Sequence, residues 1–162
     1  MSAELSDTEN LAQRLDVVES SAAIRDLASN YCHGFDKRDR DLFLSIWWDD
    51  SIWDIGPPFG VFEGLAGVRE ALETVLWPAW EESHHLCANH VISFQGRDDA
   101  RAVCDVDCMG RLAGEVECQI VGATYTDLLQ RRDNQWKILR RDVQIHYFNP
   151  IPGAVLVAPA KT

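Results

Sequence analysis

Positively charged residues are scarce in this chain. It contains 15 Lys and Arg against 26 Asp and Glu, which gives a formal net charge of −11 at pH 7. An acidic surface of this kind repels the phosphates of nucleic acids and the headgroups of anionic membranes. We therefore expect neither nucleic acid nor a membrane surface as a partner.

Long apolar runs and export signals are missing as well. The sequence has no uninterrupted apolar run of the roughly 18 residues that a membrane-spanning helix requires. Residues 1–10 are polar and acidic, without the basic and apolar regions of a signal peptide. The cysteines are odd in number and scattered, at Cys32, Cys87, Cys104, Cys108 and Cys118. This pattern favours a reduced, cytoplasmic protein over a secreted one.

Motifs for metals, nucleotides and nucleophilic serines are also absent. The chain has no Cys-x-x-Cys, His-x-His or His-Glu-x-x-His motif, no Gly-rich phosphate loop and no Gly-x-Ser-x-Gly elbow. His84 and His90 fall on the same face of one predicted strand, but too far apart to bind one metal easily. We therefore expect no metal and no organic cofactor.

The first half of the chain has helical periodicity. An amphipathic helix is predicted from apolar residues at helical spacing, namely Leu11, Leu15 and Val18. It leads into a second apolar stripe formed by Ile24, Leu27, Ala28, Tyr31 and Phe35. Asp39 can cap a second helix whose buried face would be Leu42, Phe43, Ile46 and Trp47. A third helix is predicted over residues 64–77, ended by Pro78.

The second half is typical of strands. Pro57, Pro58 and Gly60 interrupt two short β-prone runs, which predicts a hairpin over residues 52–62. Longer strands are predicted over residues 84–94, 100–112, 115–130 and 135–147.

Helices followed by antiparallel strands indicate the α+β class. We expect a cone-shaped α+β barrel in which a strongly curved, mostly antiparallel sheet wraps three N-terminal helices. The mouth of the cone would be a pocket between sheet and helices. A single domain would span residues 1–162, with residues 1–8 disordered and residues 149–162 as an irregular cover.

Two charged side chains stand out by their position. Asp36 falls at a predicted helix end, four residues after Cys32 and beside the apolar stripe. Arg141 is the only charge in an apolar row of the last strand, so it needs an anionic or strongly polar partner, for instance Asp36 or Asp107 in a structural ion pair. A structural ion pair and a functional role are equally consistent with this row.

Strand alternation sorts further candidates. His85 and Cys87 share one face, opposite the face of His84. A lone strand histidine is more often a hydrogen-bonded core residue than a ligand. Asp105 and Asp107 share a face and could do acid–base work, although a solvated outer face is the favoured interpretation.

Several short motifs carry more specific information. The most specific are Ser45-Ile-Trp-Trp-Asp-Asp50 and Leu76-Trp-Pro78. Others are Phe35-Asp-Lys-Arg38, Tyr125-Thr126, Arg131-Arg-Asp133, Trp136-Lys137 and the ending Tyr147-Phe-x-Pro150. From about Ser21 to Pro150 the chain resembles the γ-hexachlorocyclohexane dehydrochlorinases. These belong to the SnoaL-like superfamily of α+β cones, which includes scytalone dehydratase and bile acid 7α-dehydratase.

The resemblance implies roles for individual residues. Asp36 would orient His85 as a general base, and Arg141 would face the leaving group or a developing oxyanion. The dehydrochlorinases have a Lys where this chain has Tyr31. In the dehydratase relatives a Tyr on the same helix assists loss of a hydroxyl or polarises a carbonyl. Tyr31 therefore favours a dehydratase or isomerase.

The function expected from this resemblance is a cofactor-independent lyase that eliminates water or halide from a small hydrophobic cyclic substrate. Its substrate-binding residues would be Cys32, Trp53, Trp80, Val106, Cys108, Val121, Tyr125, Val143 and Ile145. A ketosteroid-isomerase-like isomerase, a polyketide cyclase and a non-catalytic small-ligand-binding module remain alternatives. A homo-oligomer, trimer or dimer, is expected through exposed aromatic residues such as Trp47, Trp48 or Phe148.

Overall fold

The computed structural model describes residues 7–157. Its helical elements are α1 (Asp7–Asp36), α2 (Arg40–Ser45), α3 (Gly64–Glu70), a π-helical stretch (Ala71–Leu76) and α4 (Trp77–Ala79). Its strands are β1 (Trp47–Gly56), β2 (Gly60–Glu63), β3 (Trp80–Phe94), β4 (Asp99–Leu112), β5 (Gln119–Arg132) and β6 (Gln135–Pro150).

The strands form one six-stranded sheet in the order β2-β1-β6-β5-β4-β3. The β1–β6 pair is parallel and every other pair is antiparallel. The sheet is curved and unclosed, and the helices lie in its hollow. The predicted α+β cone is therefore confirmed.

Helix α1 is amphipathic only in its second half. The predicted stripe is buried, with Ile24, Tyr31 and Phe35 each 3% exposed. The earlier residues Leu11 and Val18 are instead 63% and 64% exposed. The helix therefore contributes its C-terminal half to the core, and this half carries Tyr31 and Asp36 towards β3.

Two helix ends differ from prediction. The Asp39 cap is present, since its carboxylate accepts a hydrogen bond from Leu42 N at 3.0 Å, but α2 ends at Ser45. Trp47 belongs to β1, because it pairs with Ile138 of β6. Pro78 does not end the third helical segment. It lies in the first turn of α4, where a missing N–H costs no hydrogen bond.

Three of the long strands differ at their ends. β3 begins at Trp80, because that residue already pairs with Leu112. β5 begins only at Gln119, because residues 113–118 form a loop with Gly114 in the left-handed region. β6 continues to Pro150, opposite Gln119.

The ends of the chain depart from the expected irregular segments. Residues 7 and 8 are helical, whereas residues 1–6 lie outside the described residues. Residues 149–162 are expected to form an irregular cover. Asn149 and Pro150 instead belong to β6, whereas residues 151–157 are irregular. Residues 158–162 also lie outside the described range.

A β-bulge in β3 changes which histidines face the core. Asn89 has φ +56°, and the pairing of β3 with β4 shifts between Ala88 and Val91. A bulge adds one residue to a strand and reverses the alternation beyond it. His90 is therefore half-buried on the inner side, while His84 is exposed. The prediction that the two share a face is wrong for this reason.

Candidate active site

The last turn of α1 and the start of β3 bring Asp36 and His85 together. Asp36 is the final residue of α1, and His85 lies on the inner face of β3. The Nδ1 atom of His85 is 2.6 Å from Asp36 Oδ1, a hydrogen-bond distance. Arg38 supports this junction from the loop after α1, because its guanidinium donates to the carbonyl oxygens of Trp77, at 2.8 Å, and Trp80.

The carboxylate of Asp36 is held by two further donors. Ser83 Oγ donates to Oδ1 at 2.7 Å, and the backbone N–H of His85 donates to Oδ2 at 2.7 Å. Burial would raise the pKa of Asp36, but the hydrogen bonds and charge of His85, with Ser83, outweigh burial and lower this pKa. Asp36 is therefore an ionised acceptor, and His85 Nδ1 is the atom that carries the proton.

His85 opens into a cavity of about 70 Å³ that is lined almost entirely by apolar side chains. Ligand pockets are commonly about 300–1,000 Å³. The cavity therefore admits a small substrate, and a ring-sized one requires its side chains to move apart. Eight of the nine residues predicted to bind substrate line it: Trp53, Trp80, Val106, Cys108, Val121, Tyr125, Val143 and Ile145.

Two tyrosine hydroxyls add polarity to this apolar wall. Tyr125 donates to the Tyr31 hydroxyl at 3.3 Å, and both side chains line the cavity. Burial raises the pKa of each phenol, and this effect outweighs the opposing influence of Arg141. Both hydroxyls therefore stay protonated at neutral pH and can donate hydrogen bonds.

Arg141 lies beneath the tyrosines rather than on the cavity wall. Its guanidinium carbon is 4.6 Å from the ring centroid of Tyr31 and 4.3 Å from that of Tyr125. The side chain is fully buried and forms a bidentate ion pair with Asp127, at 2.8 and 2.7 Å. The partners expected from the sequence, Asp36 and Asp107, are not its partners.

Other sequence candidates lie elsewhere. Cys32 does not line the cavity, because its thiol contacts Cys87. Asp105 and Asp107 are exposed on the outer face, where Asp107 accepts a hydrogen bond from Tyr147 at 2.9 Å. This confirms the favoured interpretation of these two carboxylates.

Sequence reasoning missed Ser83 and six residues of the cavity wall. Ser83 shares a strand face with His85, so period-two alternation contained a signal for it. The missed wall residues are Phe35, Ile55, Phe59, Leu76, Ala123 and Phe148. Ile55 follows Trp53 with the same alternation, but Phe59 and Leu76 reach the cavity from a turn and from the π-helical stretch. Their positions depend on tertiary packing.

Within residues 7–157, no group of three or more His, Cys, Asp or Glu side chains is arranged to hold a metal ion. No helix in the same range is long and apolar enough to cross a membrane.

Comparison with known proteins identifies the family. A family model described as a SnoaL-like domain matches residues 16–142. The chain belongs to the SnoaL-like family. Hexachlorocyclohexane dehydrochlorinase 1 of Sphingobium indicum is 35% identical to this SnoaL-like chain over 145 residues, which are 90% of the chain and 94% of that protein.

Solved structures agree with this assignment. The crystal structure of a hexachlorocyclohexane dehydrochlorinase, LinA type 2, superimposes with a TM-score of 0.87 at 34% identity, covering 91% of this SnoaL-like chain and 99% of that one. An NTF2-like protein with a cystatin-like fold from Novosphingobium aromaticivorans has a TM-score of 0.73 at 21% identity, with coverages of 88% and 92%. The second likeness concerns the fold alone.

Proposed function

We propose that this SnoaL-like protein is a lyase that catalyses a β-elimination without a cofactor, on a small hydrophobic cyclic substrate. The observation that carries the proposal is the Asp36–His85 contact at the wall of an apolar cavity. The dehydrochlorinase relatives support a lyase. The cavity supports an apolar substrate, because it offers few polar groups besides His85 and the two tyrosines.

His85 is the general base in this proposal. In the neutral imidazole that this step requires, Nδ1–H donates to ionised Asp36 and Nε2 has a free lone pair. Nε2 removes a proton from a substrate carbon, and the electrons of that C–H bond form the new double bond. Asp36 stabilises the imidazolium that results and holds the ring in one orientation. Ser83 acts on His85 only through Asp36, and is a positioning residue.

Tyr31 is the proton donor to the leaving group. Its oxygen accepts a hydrogen bond from Tyr125, so its own O–H is available to a substrate oxygen. The nearby guanidinium of Arg141 stabilises negative charge on the Tyr31 oxygen as the proton leaves. Arg141 thus assists departure through Tyr31, without touching the leaving group.

This donor favours a substrate with an oxygen leaving group or a carbonyl. Hydroxide leaves poorly unless it is protonated, whereas chloride leaves without a proton. A protonated phenol on the wall of an apolar cavity suits the first case. We therefore infer that dehydration of a β-hydroxy carbonyl compound is the reaction that fits Tyr31 best.

The experiment compares Tyr31→Phe with wild type on two substrate types, β-hydroxy ketones and chlorinated cyclohexanes. We expect the loss of one general acid to reduce dehydration about 10²–10⁴-fold and halide elimination little. Tyr147→Phe is the matched control, because Tyr147 is 41% exposed and hydrogen-bonded to Asp107 outside the cavity. Equal losses with both substrate types would contradict the acid role of Tyr31.

A non-catalytic binding module is the second candidate, because an apolar cavity also suits a ligand that is held without reaction. It would be adopted if no compound of either type turned over and His85→Ala left the binding of the best cavity ligand unchanged.

A further inference from the structure

Two cysteine thiols meet beside the Asp36–His85 contact. Cys32 Sγ and Cys87 Sγ are 3.4 Å apart, and neither forms a disulfide. Cys32 precedes Asp36 by one helical turn, about 6 Å along α1. Cys87 follows His85 by two residues, about 7 Å along β3. The thiol contact and the Asp36–His85 contact are therefore neighbouring links between the same helix and the same strand.

The two sulfurs are close enough to bond after a small movement. A disulfide bond is about 2.0 Å long, so they must approach by about 1.4 Å. Rotation of the two side chains with a slight shift of α1 can supply this distance.

The pair also has the chemistry that oxidation requires. The hydrogen bond with Cys87 lowers the pKa of Cys32, although burial opposes the shift. A thiolate at Cys32 is the nucleophilic form of the residue. Cys87 is only partly buried, so a small neutral oxidant can reach the pair.

We propose that Cys32 and Cys87 are a redox-sensitive dithiol, which peroxide converts to a disulfide that alters the Asp36–His85 pair. One thiolate attacks hydrogen peroxide, and its sulfur becomes a sulfenic acid with loss of hydroxide, which leaves as water. The second thiol displaces water from the sulfenic sulfur and forms the S–S bond. Two thiols lose two electrons and two protons in total, and the peroxide becomes two waters.

The disulfide acts on the neighbouring contact because that contact cannot shorten. His85 Nδ1 and Asp36 Oδ1 are already 2.6 Å apart. The disulfide draws α1 and β3 together at a point one helical turn from this contact. The Asp36 carboxylate therefore tilts relative to the imidazole. Reduction of the disulfide releases the strand and restores the alignment.

The first measurement is peptide mapping under non-reducing conditions after treatment of the full chain with hydrogen peroxide. We expect a crosslink between Cys32 and Cys87, an intact mass lower by two hydrogen atoms, and reversal by dithiothreitol. Cys118→Ala is the matched control, because Cys118 is a buried cysteine that this pairing does not use. It should keep the crosslink, whereas Cys32→Ala and Cys87→Ala should lose it.

The second measurement follows the imidazole NMR signals of His85, assigned by their loss in His85→Gln. We expect these signals to shift on oxidation, return on reduction, and stay unchanged by peroxide in Cys32→Ala. Neither measurement requires turnover, so the inference can fail without the proposed lyase activity failing.

Three outcomes would overturn the inference. They are a crosslink that uses Cys104 in place of Cys32 or Cys87, oxidation of Cys87 to sulfinic acid with no crosslink, and a Cys32–Cys87 disulfide that leaves the His85 signals unchanged.

Discussion

The Asp36 carboxylate accepts three hydrogen bonds from β3, two of them from His85 and one from Ser83. Each of these bonds favours the ionised acid, which explains why its pKa is lowered despite burial. The same bonds join the end of α1 to β3. Asp36 therefore contributes to stability as well as to the orientation of His85.

Asp36→Asn should change the response of the protein to acid. A carboxyl group whose pKa is lower in the folded chain than its ordinary 3.8 stabilises the fold above that pH. This stabilisation is lost as the pH falls through the folded pKa. We expect Asp36→Asn to reduce the free energy of unfolding in urea at pH 7, and the difference from wild type to shrink as the pH falls below 3.8. A difference that grows on acidification would contradict this assignment.

The buried Arg141–Asp127 pair should respond strongly to truncation. Arg141 is fully buried, so Asp127→Ala leaves a charge without a counterion and should cost about 3–5 kcal/mol in the free energy of unfolding. The matched control is Asp50→Ala, which removes the exposed partner of Arg132 and should cost about 1 kcal/mol or less. Equal costs in urea denaturation would show that Asp127 is not the structural counterion.

At the scale of elements, α1 and α2 cross at Gly34. A Cβ atom at Gly34 would lie 2.7 Å from the backbone nitrogen of Phe43, and Cβ atoms essentially never come within 3.0 Å of such a neighbour. The glycine thus allows α2 to pack against the last turns of α1, which fixes where Asp36 enters the site. Phe43 is fully buried at this crossing.

Gly34→Ala should therefore destabilise the protein even though alanine favours helices. We expect a loss of about 1–3 kcal/mol from overpacking, measured by urea denaturation. Ser29→Ala on the exposed side of α1 should be neutral or slightly stabilising, since alanine has the higher helix propensity. A stabilised Gly34→Ala variant would mean that the two helices separate without cost.

The period-two and helical patterns of the sequence predicted most of the helices and strands. They did not predict the positions at which strand pairing alters which side chains face the core or which side chains meet. Alternation separated the face of His85 from that of His84, and it failed at His90 because the bulge at Asn89 has no clear sequence signal. The single charge in the apolar row of β6 predicted that Arg141 needs a partner. This pattern could not identify Asp127 as the partner, because the partner depends on the register between β5 and β6. That register pairs Asp127 with Arg141.

At the scale of the whole molecule, the aromatic residues proposed for subunit contacts are already in use within the chain. Trp47 is 1% exposed. Trp48 lies beneath the cationic groups of Arg132 and Lys137, and Phe148 stacks on Trp80 at 5.8 Å between ring centroids. Trp47 is therefore inaccessible to a second subunit, and Trp48 and Phe148 are only partly exposed.

A homo-oligomer, dimer or trimer, remains our prediction. Exposed apolar side chains at the start of α1, among them Leu11 and Val18, offer area that two copies can bury. Multi-angle light scattering at high micromolar concentration should give a mass of two or three chains. A monomer mass under these conditions would contradict the prediction.

The central claim is that His85 removes a carbon-bound proton, and kcat/KM of His85→Ala tests it most directly. The substrates are β-hydroxy carbonyl compounds, hydroxysteroids and chlorinated cyclohexanes. His84→Ala is the control, because His84 is an exposed neighbour on the opposite face of β3. We predict turnover of at least one compound, a loss of about 10²–10⁴-fold in His85→Ala, and a nearly unchanged value in His84→Ala. Undiminished turnover in His85→Ala would contradict the account.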